Sequence, residues 1–152
     1  MNTGQAWENV TVSLACDVDG NVANGFVPAG TEVNRFQGTF NGEKHTVTIT
    51  HLDGAPIVYG GLFGWTGENA RVMNTNVTEI VCGCCDAGSV AGINTGLVIG
   101  CKNYALISSL INVGGITGTN REAGVIAQCE NYGENAGGAA AINMGADIVV
   151  LC

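Results

Sequence analysis

One glycine-rich stretch, residues 59–67 with the sequence YGGLFGWTG, recurs with variations through the second half of the chain. Its echoes occupy residues 88–96, 114–120 and 138–145. The equivalent positions Gly64, Gly92, Gly118 and Ala141 follow one another at intervals of 28, 26 and 23 residues. A repeat of this length indicates supersecondary units that stack on one another. No other feature of the sequence constrains the fold as strongly.

A second motif follows each copy at a similar offset. Its equivalent positions are Thr75, Cys101, Cys129 and Cys152, at intervals of 26, 28 and 23 residues. The apolar runs within each unit are short, rich in Val and Ile, and interrupted by Gly and Asn, a pattern typical of strands and tight turns. Such a unit buries its apolar side only against its neighbours. We therefore predict an all-β fold, most simply a parallel β-helix (a β-solenoid) of about five coils.

The solenoid is expected to form a single domain over residues 1–152, with irregular first coils in residues 1–54 and the repeats in residues 55–152. The Val, Ile and Leu side chains of the repeats are expected to point inward. Gly64, Gly92 and Gly118 are expected to stack at one corner, where a side chain would clash or where φ must be positive.

These motifs resemble the GLUG repeats of bacterial surface proteins, including IgA-specific metallopeptidases and adhesin-like proteins. The similar segments are residues 12–19, 36–49, 61–74 and 126–133. The resemblance implies a right-handed parallel β-helix in an extracellular bacterial protein, and it implies little about chemistry. A metallopeptidase His-Glu-x-x-His motif is missing from the sequence, so the peptidase activity of some relatives is not encoded here.

The charged residues of the chain argue against two classes of binding partner. The net charge is −8 with only five Lys and Arg residues, so nucleic acid and anionic membrane surfaces are not expected partners. Residues 1–9 lack the features of a signal peptide, and no apolar run is long enough to insert into a membrane. We expect a piece of a longer exported protein, located outside the cell or at its surface, because the apolar segment 147–152 has no polar capping unit after it.

One acidic segment suggests a calcium loop. Asp17, Asp19 and Asn21 place oxygen ligands at alternate positions, as in the start of an EF-hand loop. The sixth position is Val22 and the twelfth is Pro28, where that loop needs a glycine and a bidentate acid. A turn at Asp19 is therefore the expected structure.

The segment 36–51 suits either a β-hairpin or a solenoid corner. Thr46, Thr48 and Thr50 are expected on one face of its second strand, which is reminiscent of an ice-binding surface. The threonine row does not recur in later coils, so an ordinary solvent-facing strand is expected. His45 and His51 are the only histidines and have no ligand at a zinc spacing beside them. We assign no catalytic, cofactor-binding or metal-binding residue.

The seven cysteines fall into two groups and a remainder. Cys101, Cys129 and Cys152 occupy one repeat position and are expected to stack as an inward row of small apolar side chains. A disulfide within that row would be strained. Cys82, Cys84 and Cys85 lie between units, where metal binding, a redox role, a disulfide and a reduced turn all remain open.

Three functions are compatible with the sequence. The first is a non-catalytic structural or adhesive segment of a bacterial cell-surface or secreted protein. The alternatives are a carbohydrate-active β-helix enzyme and a self-assembling filament subunit. Expected partners are flanking domains of the parent protein or identical subunits, with a host protein or glycan as a further candidate. Identical subunits are expected to dock at the edge formed by Gly145–Cys152, which a Val149→Lys change would block.

Overall fold

The computed structural model describes residues 6–21, 26–51, 57–134 and 138–144, and the backbone of residues 147–150. Within these ranges the regular secondary structure is entirely strand, and every ladder between strands is parallel. Since this part of the chain holds no helix, it holds none that could cross a membrane. The strands stack as a β-solenoid of about four turns, which confirms the predicted fold class and is close to the five coils expected.

The first sheet takes one short strand from each successive coil. Its members, in spatial order, are β1 (Thr11–Ser13), β3 (Thr39–Asn41), β7 (Arg71–Met73), β11 (Leu97–Ile99), β16 (Val125–Asn131) and β18 (Asp147–Val150).

The second sheet follows it around each coil, and the C-terminal part of β16 continues into it. Its other members are β2 (Val18–Asp19), β4 (Thr46–Thr50), β8 (Asn76–Gly83), β12 (Lys102–Asn103) and β13 (Leu106–Ser109). Both β12 and β13 pair with β8.

Two further sheets close the coil. The third contains β6 (Phe63–Thr66), β10 (Ala91–Asn94), β15 (Thr117–Asn120) and β17 (Ala140–Asn143). The fourth is shorter and contains β5 (Tyr59–Gly60), β9 (Asp86–Ala87) and β14 (Asn112–Val113).

The register of the third sheet matches the sequence repeat. Ala91 pairs with Phe63 below it and with Thr117 above it, and Thr117 pairs in turn with Ala140. The copies of the glycine-rich motif therefore stack at the positions that the sequence intervals predict.

The stacked glycines do not lie at a corner, as expected, but in the middle of the strands of the third sheet. None of the three has a positive φ. Glycine is required at positions 92 and 118 because the fourth sheet packs directly on this face, and at position 64 because a Cβ atom would lie 2.6 Å from the carbonyl oxygen of Gly30. A Cβ atom on Gly92 would lie 2.6 Å from Cβ of Tyr59 and 3.0 Å from the carbonyl oxygen of Gly64, and one on Gly118 would lie 2.6 Å from the amide nitrogen of Ala87.

The core is a narrow column of apolar side chains that point inward, as predicted. One row of this column consists of Phe40, Val72, Val98 and Ile126, which pair in register and are each at most 2% exposed. At its N-terminal end the ring of Phe63 lies 4.5 Å from that of Phe36 and 5.6 Å from that of Phe40. Burial of such side chains contributes about 1.5–3 kcal/mol each, so stacked rows of this kind stabilise the solenoid along its length.

The segment 36–51 forms a solenoid corner and not a hairpin, since β3 and β4 pair with neighbouring coils instead of with each other. Glu43 and Lys44 turn the chain with φ values of 51° and 68°. Buried and half-buried residues alternate along β4, as the threonine pattern predicts.

Asparagines form a hydrogen-bonded row along the end of the third sheet. Thr66 Oγ1 donates to Asn94 Oδ1 at 2.6 Å, Asn94 Nδ2 donates to Asn120 Oδ1 at 2.8 Å, and Asn120 Nδ2 donates to Asn143 Oδ1 at 3.0 Å. These partners are 28, 26 and 23 residues apart, which is the repeat interval. We call these four residues the asparagine ladder. Such ladders stabilise stacked parallel strands because each side-chain amide supplies a hydrogen-bond partner for the side chain of the next coil.

Cys101 and Cys129 stack in the core as predicted, both fully buried and without a disulfide. The amide of Cys101 donates to the sulfur of Cys129 at 3.4 Å. The expected third member, Cys152, lies outside the described residues. A register shift between Ala127 and Cys129 pairs Cys129 with Val150. The docking of identical subunits at the edge formed by residues 145–152 stays a prediction.

Candidate functional site

Two aromatic rings and two guanidinium groups gather on one side of the solenoid. The ring of Tyr59 meets the ring of Trp65 edge-on with centroids 5.3 Å apart. The guanidinium carbon of Arg35 lies 4.5 Å from the Trp65 centroid and that of Arg121 lies 5.6 Å from it. Both distances suit a cation–π interaction. We call these four residues the aromatic–arginine cluster.

The fold brings these residues together from distant parts of the sequence. Trp65 lies on β6, and Tyr59 lies on β5 of the same coil. Arg35 directly precedes Phe36, which bridges to the end of β6 at Thr66. Arg121 follows β15, two coils further along the stack. The cluster thus draws its residues from three coils and uses two of the five basic residues of the chain.

The aromatic–arginine cluster was not predicted from the sequence. Once strand register is known, Thr119 lies two coils above Trp65 through Ile93, and Arg121 follows two residues later. Adjacent strands are about 4.8 Å apart, so an arginine two coils away can bring its guanidinium group within cation–π distance of the Trp65 ring. The alignment of the repeats therefore contains the information that Arg121 follows a position two coils above Trp65. The contact of its side chain with the Trp65 ring across two coils cannot be read from a linear sequence.

A cavity of about 360 Å³ opens beside the cluster. Its wall is largely apolar, and its lining includes Val27, Pro28, Val33, Ile57, Val58 and Tyr59, with Thr31 and Glu32 as polar members. This volume lies in the range of small-molecule sites. The cavity could therefore hold a compact ligand that presents an apolar face and a few hydrogen-bonding groups.

A row of polar side chains stacks along the fourth sheet next to the cavity. Tyr59, Asp86 and Asn112 pair in register. Asn112 Nδ2 donates to the buried Asp86 carboxylate at 2.7 Å, and the hydroxyl of Thr119 donates to the same oxygen. Burial raises the pKa of Tyr59, and the nearby Glu32 and Asp86 carboxylates add to that effect.

The acidic segment that suggested calcium includes the strand β2, and its two aspartates make different hydrogen bonds. Asp17 Oδ1 accepts a hydrogen bond from the Thr46 amide at 2.8 Å and lies 3.3 Å from Nδ1 of His45. The Thr46 hydrogen bond lowers the pKa of Asp17. Asp19 Oδ1 accepts from the Asn21 amide at 2.9 Å. The two carboxylates thus serve separate local contacts, and Asp19 ends the strand β2.

The two histidines lie in different environments. His45 is half-buried beside Asp17, whereas His51 is buried and stacks against Phe26 with ring centroids 5.9 Å apart. Nδ1 of His51 lies 2.8 Å from the carbonyl oxygen of Cys82. Burial lowers the pKa of His51 because the charged imidazole loses its hydration.

This lowered pKa predicts a loss of stability in mild acid. The unfolded chain binds a proton at His51 near pH 6.5, while the folded chain resists protonation. The free energy of unfolding is therefore expected to fall as the pH drops below about 6.5, by at most about 1.4 kcal/mol per pH unit. Urea titrations across this range check it. A His51→Asn variant should show a flatter pH profile, and equal slopes for wild type and His51→Asn would contradict the assignment.

The three clustered cysteines divide into a single residue and a pair. The sulfur of Cys82 accepts a hydrogen bond from Ser108 Oγ at 3.4 Å. The sulfurs of Cys84 and Cys85 lie 3.6 Å apart. In the described part of the chain, no group of three or more metal-ligating side chains surrounds them or gathers elsewhere.

A second surface cluster also escaped the sequence analysis. Tyr104 and Tyr132 are exposed and stack with ring centroids 5.1 Å apart. Lys102 Nζ lies 3.0 Å from Glu130 Oε2, and the hydroxyl of Tyr132 donates to the same carboxylate oxygen. The Tyr132 hydroxyl and Lys102 together lower the pKa of Glu130. Because these residues recur one coil apart, the cluster links neighbouring coils on the outside.

Comparison with known proteins gives two distant similarities. The chain is 25% identical over 112 residues to a protein named Halomucin from Haloquadratum walsbyi, and 33% identical over 86 residues to a "Putative Gly-rich membrane protein" from Evansella cellulosilytica. These matches cover 72% and 57% of the chain but only 1% and 9% of the two relatives. No family model matches the chain, and no solved structure matches it significantly.

Proposed function

We propose that the chain is a non-catalytic structural or adhesive segment of a bacterial cell-surface or secreted protein. The observation that carries this proposal is the asparagine ladder, in which one side chain per coil, buried in the first three coils, holds the next coil at a fixed spacing. A solenoid interlocked in this way presents its outer surface in a fixed geometry, which a spacer or display segment requires.

The comparisons support the same proposal. Both relatives are far longer than this chain, which is similar to a short part of each, and one of them carries the description of a membrane protein. Membership of the GLUG repeats stays a proposal and rests on the motif resemblance alone. Flanking segments of a parent protein are the partners that this function implies.

The side chains with the greatest catalytic potential are engaged in holding the fold. Asp86 accepts hydrogen bonds from Asn112 and Thr119, and His51 is buried against the main chain of Cys82. We therefore favour a structural role over a carbohydrate-active enzyme.

The location can be tested on intact cells of the source organism. An antibody raised against the purified chain is expected to label unpermeabilised cells or the culture medium. Brief protease treatment of intact cells should remove the cell-bound signal. A cytoplasmic protein serves as the control for leakage. Labelling that appears only after permeabilisation would contradict the proposed location.

The cavity beside Tyr59 favours an adhesive component of this function, because it combines an aromatic ring and a carboxylate with an apolar wall. A monosaccharide panel followed by NMR chemical-shift mapping is expected to perturb Tyr59 and Glu32 together. A Tyr59→Ala variant should lose these shifts, while a Tyr104→Ala variant on the other surface cluster should keep them. Shifts that persist in Tyr59→Ala would place binding elsewhere.

A further inference from the structure

The adjacent thiols of Cys84 and Cys85 occupy the turn between β8 and β9. Their sulfur atoms are 3.6 Å apart. Cys84 is exposed and Cys85 is half-buried, so reagents can reach the pair from solvent. A disulfide needs a sulfur–sulfur distance of about 2.05 Å, and the two atoms must therefore approach by only about 1.5 Å.

The backbone around the pair is held on both sides by neighbouring coils. The amides of Cys84 and Cys85 donate to the carbonyl oxygens of Ile57 and Val58 at 2.9 and 3.1 Å. The carbonyl oxygen of Cys85 accepts from the Asn112 amide at 2.8 Å. These bonds fix the turn, so the proximity of the two thiols is built into the stack.

The third nearby cysteine does not belong to this pair. Cys82 lies on β8, where its sulfur accepts a hydrogen bond from Ser108 of β13. A closed thiolate metal site needs four ligands, and within the described ranges no third ligating side chain joins Cys84 and Cys85. The geometry therefore favours thiol–disulfide chemistry over a closed metal site.

We propose that Cys84 and Cys85 form a redox-active dithiol that closes reversibly to a disulfide between adjacent residues, by exchange with a low-molecular-weight disulfide such as oxidised glutathione. The thiolate of Cys84 attacks one sulfur of the small disulfide, forms a mixed disulfide and releases one small thiolate. The thiolate of Cys85 then attacks the Cys84 sulfur and releases the second. The two cysteine protons pass to the released thiolates, so two cysteines are oxidised and one small disulfide is reduced to two thiols.

The environment assigns the two roles. Cys84 is the more exposed residue and makes the first attack. Its thiol also hydrogen bonds with that of Cys85, and this bond raises the pKa of Cys85. Cys85 thus forms a thiolate less readily and acts second. In that step Cys85 is already held beside the mixed disulfide, so the attack is intramolecular.

Closure should be easy to reverse. Adjacent Cα atoms are about 3.8 Å apart across a trans peptide, whereas disulfides usually join Cα atoms at least about 4.4 Å apart. The resulting strain makes the bond more reducible than a structural disulfide. Because the turn is bonded to Ile57 and Val58 of the cavity wall, the redox state of the pair would set the rigidity of that wall. This inference goes beyond the proposed function and does not depend on it.

The test uses the full chain equilibrated in glutathione redox buffers, quenched with acid, alkylated and analysed by peptide mass spectrometry. Under oxidised glutathione, the peptide containing both cysteines is expected to lose the mass of two hydrogen atoms without a cross-link to another peptide. Excess reduced glutathione should restore it. Phenylarsine oxide, which bridges two close thiols, should protect the pair from alkylation in wild type and in a Cys16→Ser control, but not in Cys84→Ser or Cys85→Ser.

The Cys85→Ser variant tests whether Cys85 displaces glutathione from Cys84. It is expected to accumulate a mixed disulfide with glutathione at Cys84, because nothing displaces the glutathione. If wild type accumulates the same mixed disulfide, or if oxidation joins Cys84 to Cys82 or to a second chain, the proposal is wrong. Circular dichroism of each variant verifies that the fold is retained.

Discussion

Replacement of Gly92 by valine is expected to destabilise the protein by more than about 4 kcal/mol, which would leave little folded chain at room temperature. Gly92 lies mid-strand in the third sheet, directly under the fourth. An added Cβ would lie 2.6 Å from Cβ of Tyr59 and 3.0 Å from the carbonyl oxygens of Asp86 and Gly64. Two of these three contacts are with backbone atoms, and the contacts with Tyr59 and Asp86 are with the fourth sheet, so relief would require the two sheets to separate.

Chemical denaturation followed by circular dichroism measures this effect. A Gly92→Ala variant should be destabilised in the same direction, since the Cβ alone makes the clash. Gly138→Ala is the matched control, because its added Cβ would meet no atom closer than 4.0 Å. If Gly92→Ala unfolds at the same denaturant concentration as Gly138→Ala, the fourth sheet does not pack on the glycine row as described.

Replacement of Asn94 by alanine is expected to cost about 3–5 kcal/mol. Asn94 is fully buried at the centre of the asparagine ladder. Its amide accepts from Thr66 Oγ1 and donates to Asn120 Oδ1, and it also bonds the backbone of Gly96. Alanine would leave several of these groups buried without a partner, at about 1–3 kcal/mol for each.

The same denaturation measurement applies to this variant, with Asn69→Ala as the control. Asn69 is an exposed asparagine in a turn of the preceding coil, so its replacement should change stability by less than about 0.5 kcal/mol. Equal stability of the two variants would mean that the ladder contributes little, and the structural argument for the proposed function would lose its main support.

Much of the fold could be predicted because it is repetitive. The intervals between Gly64, Gly92 and Gly118 align residues that the structure stacks in register. The alternation in β4 likewise gave its buried face correctly. Both patterns are local or periodic, and these are the kinds of information that a single sequence displays.

Other features depended on geometry that the sequence does not display. The glycine row lies mid-strand because a separate short sheet covers it, and that sheet consists of strands of only two residues. Cys129 pairs with Val150 because a register shift interrupts the last ladder. Trp65 meets Arg121 across two coils. Each of these results from the three-dimensional path of the coil, which spacing alone does not fix.

Successive coils interlock into one rigid unit, and native-state hydrogen exchange read by mass spectrometry can measure this interlocking strand by strand. We expect the amides of Phe63–Thr66, Ala91–Asn94 and Thr117–Asn120 to exchange slowly and at a common rate, because the ladders that join these strands must open together. Asn94→Ala should accelerate all three strands. Independent exchange rates for the three strands, or acceleration confined to Ala91–Asn94 in the variant, would contradict the claim.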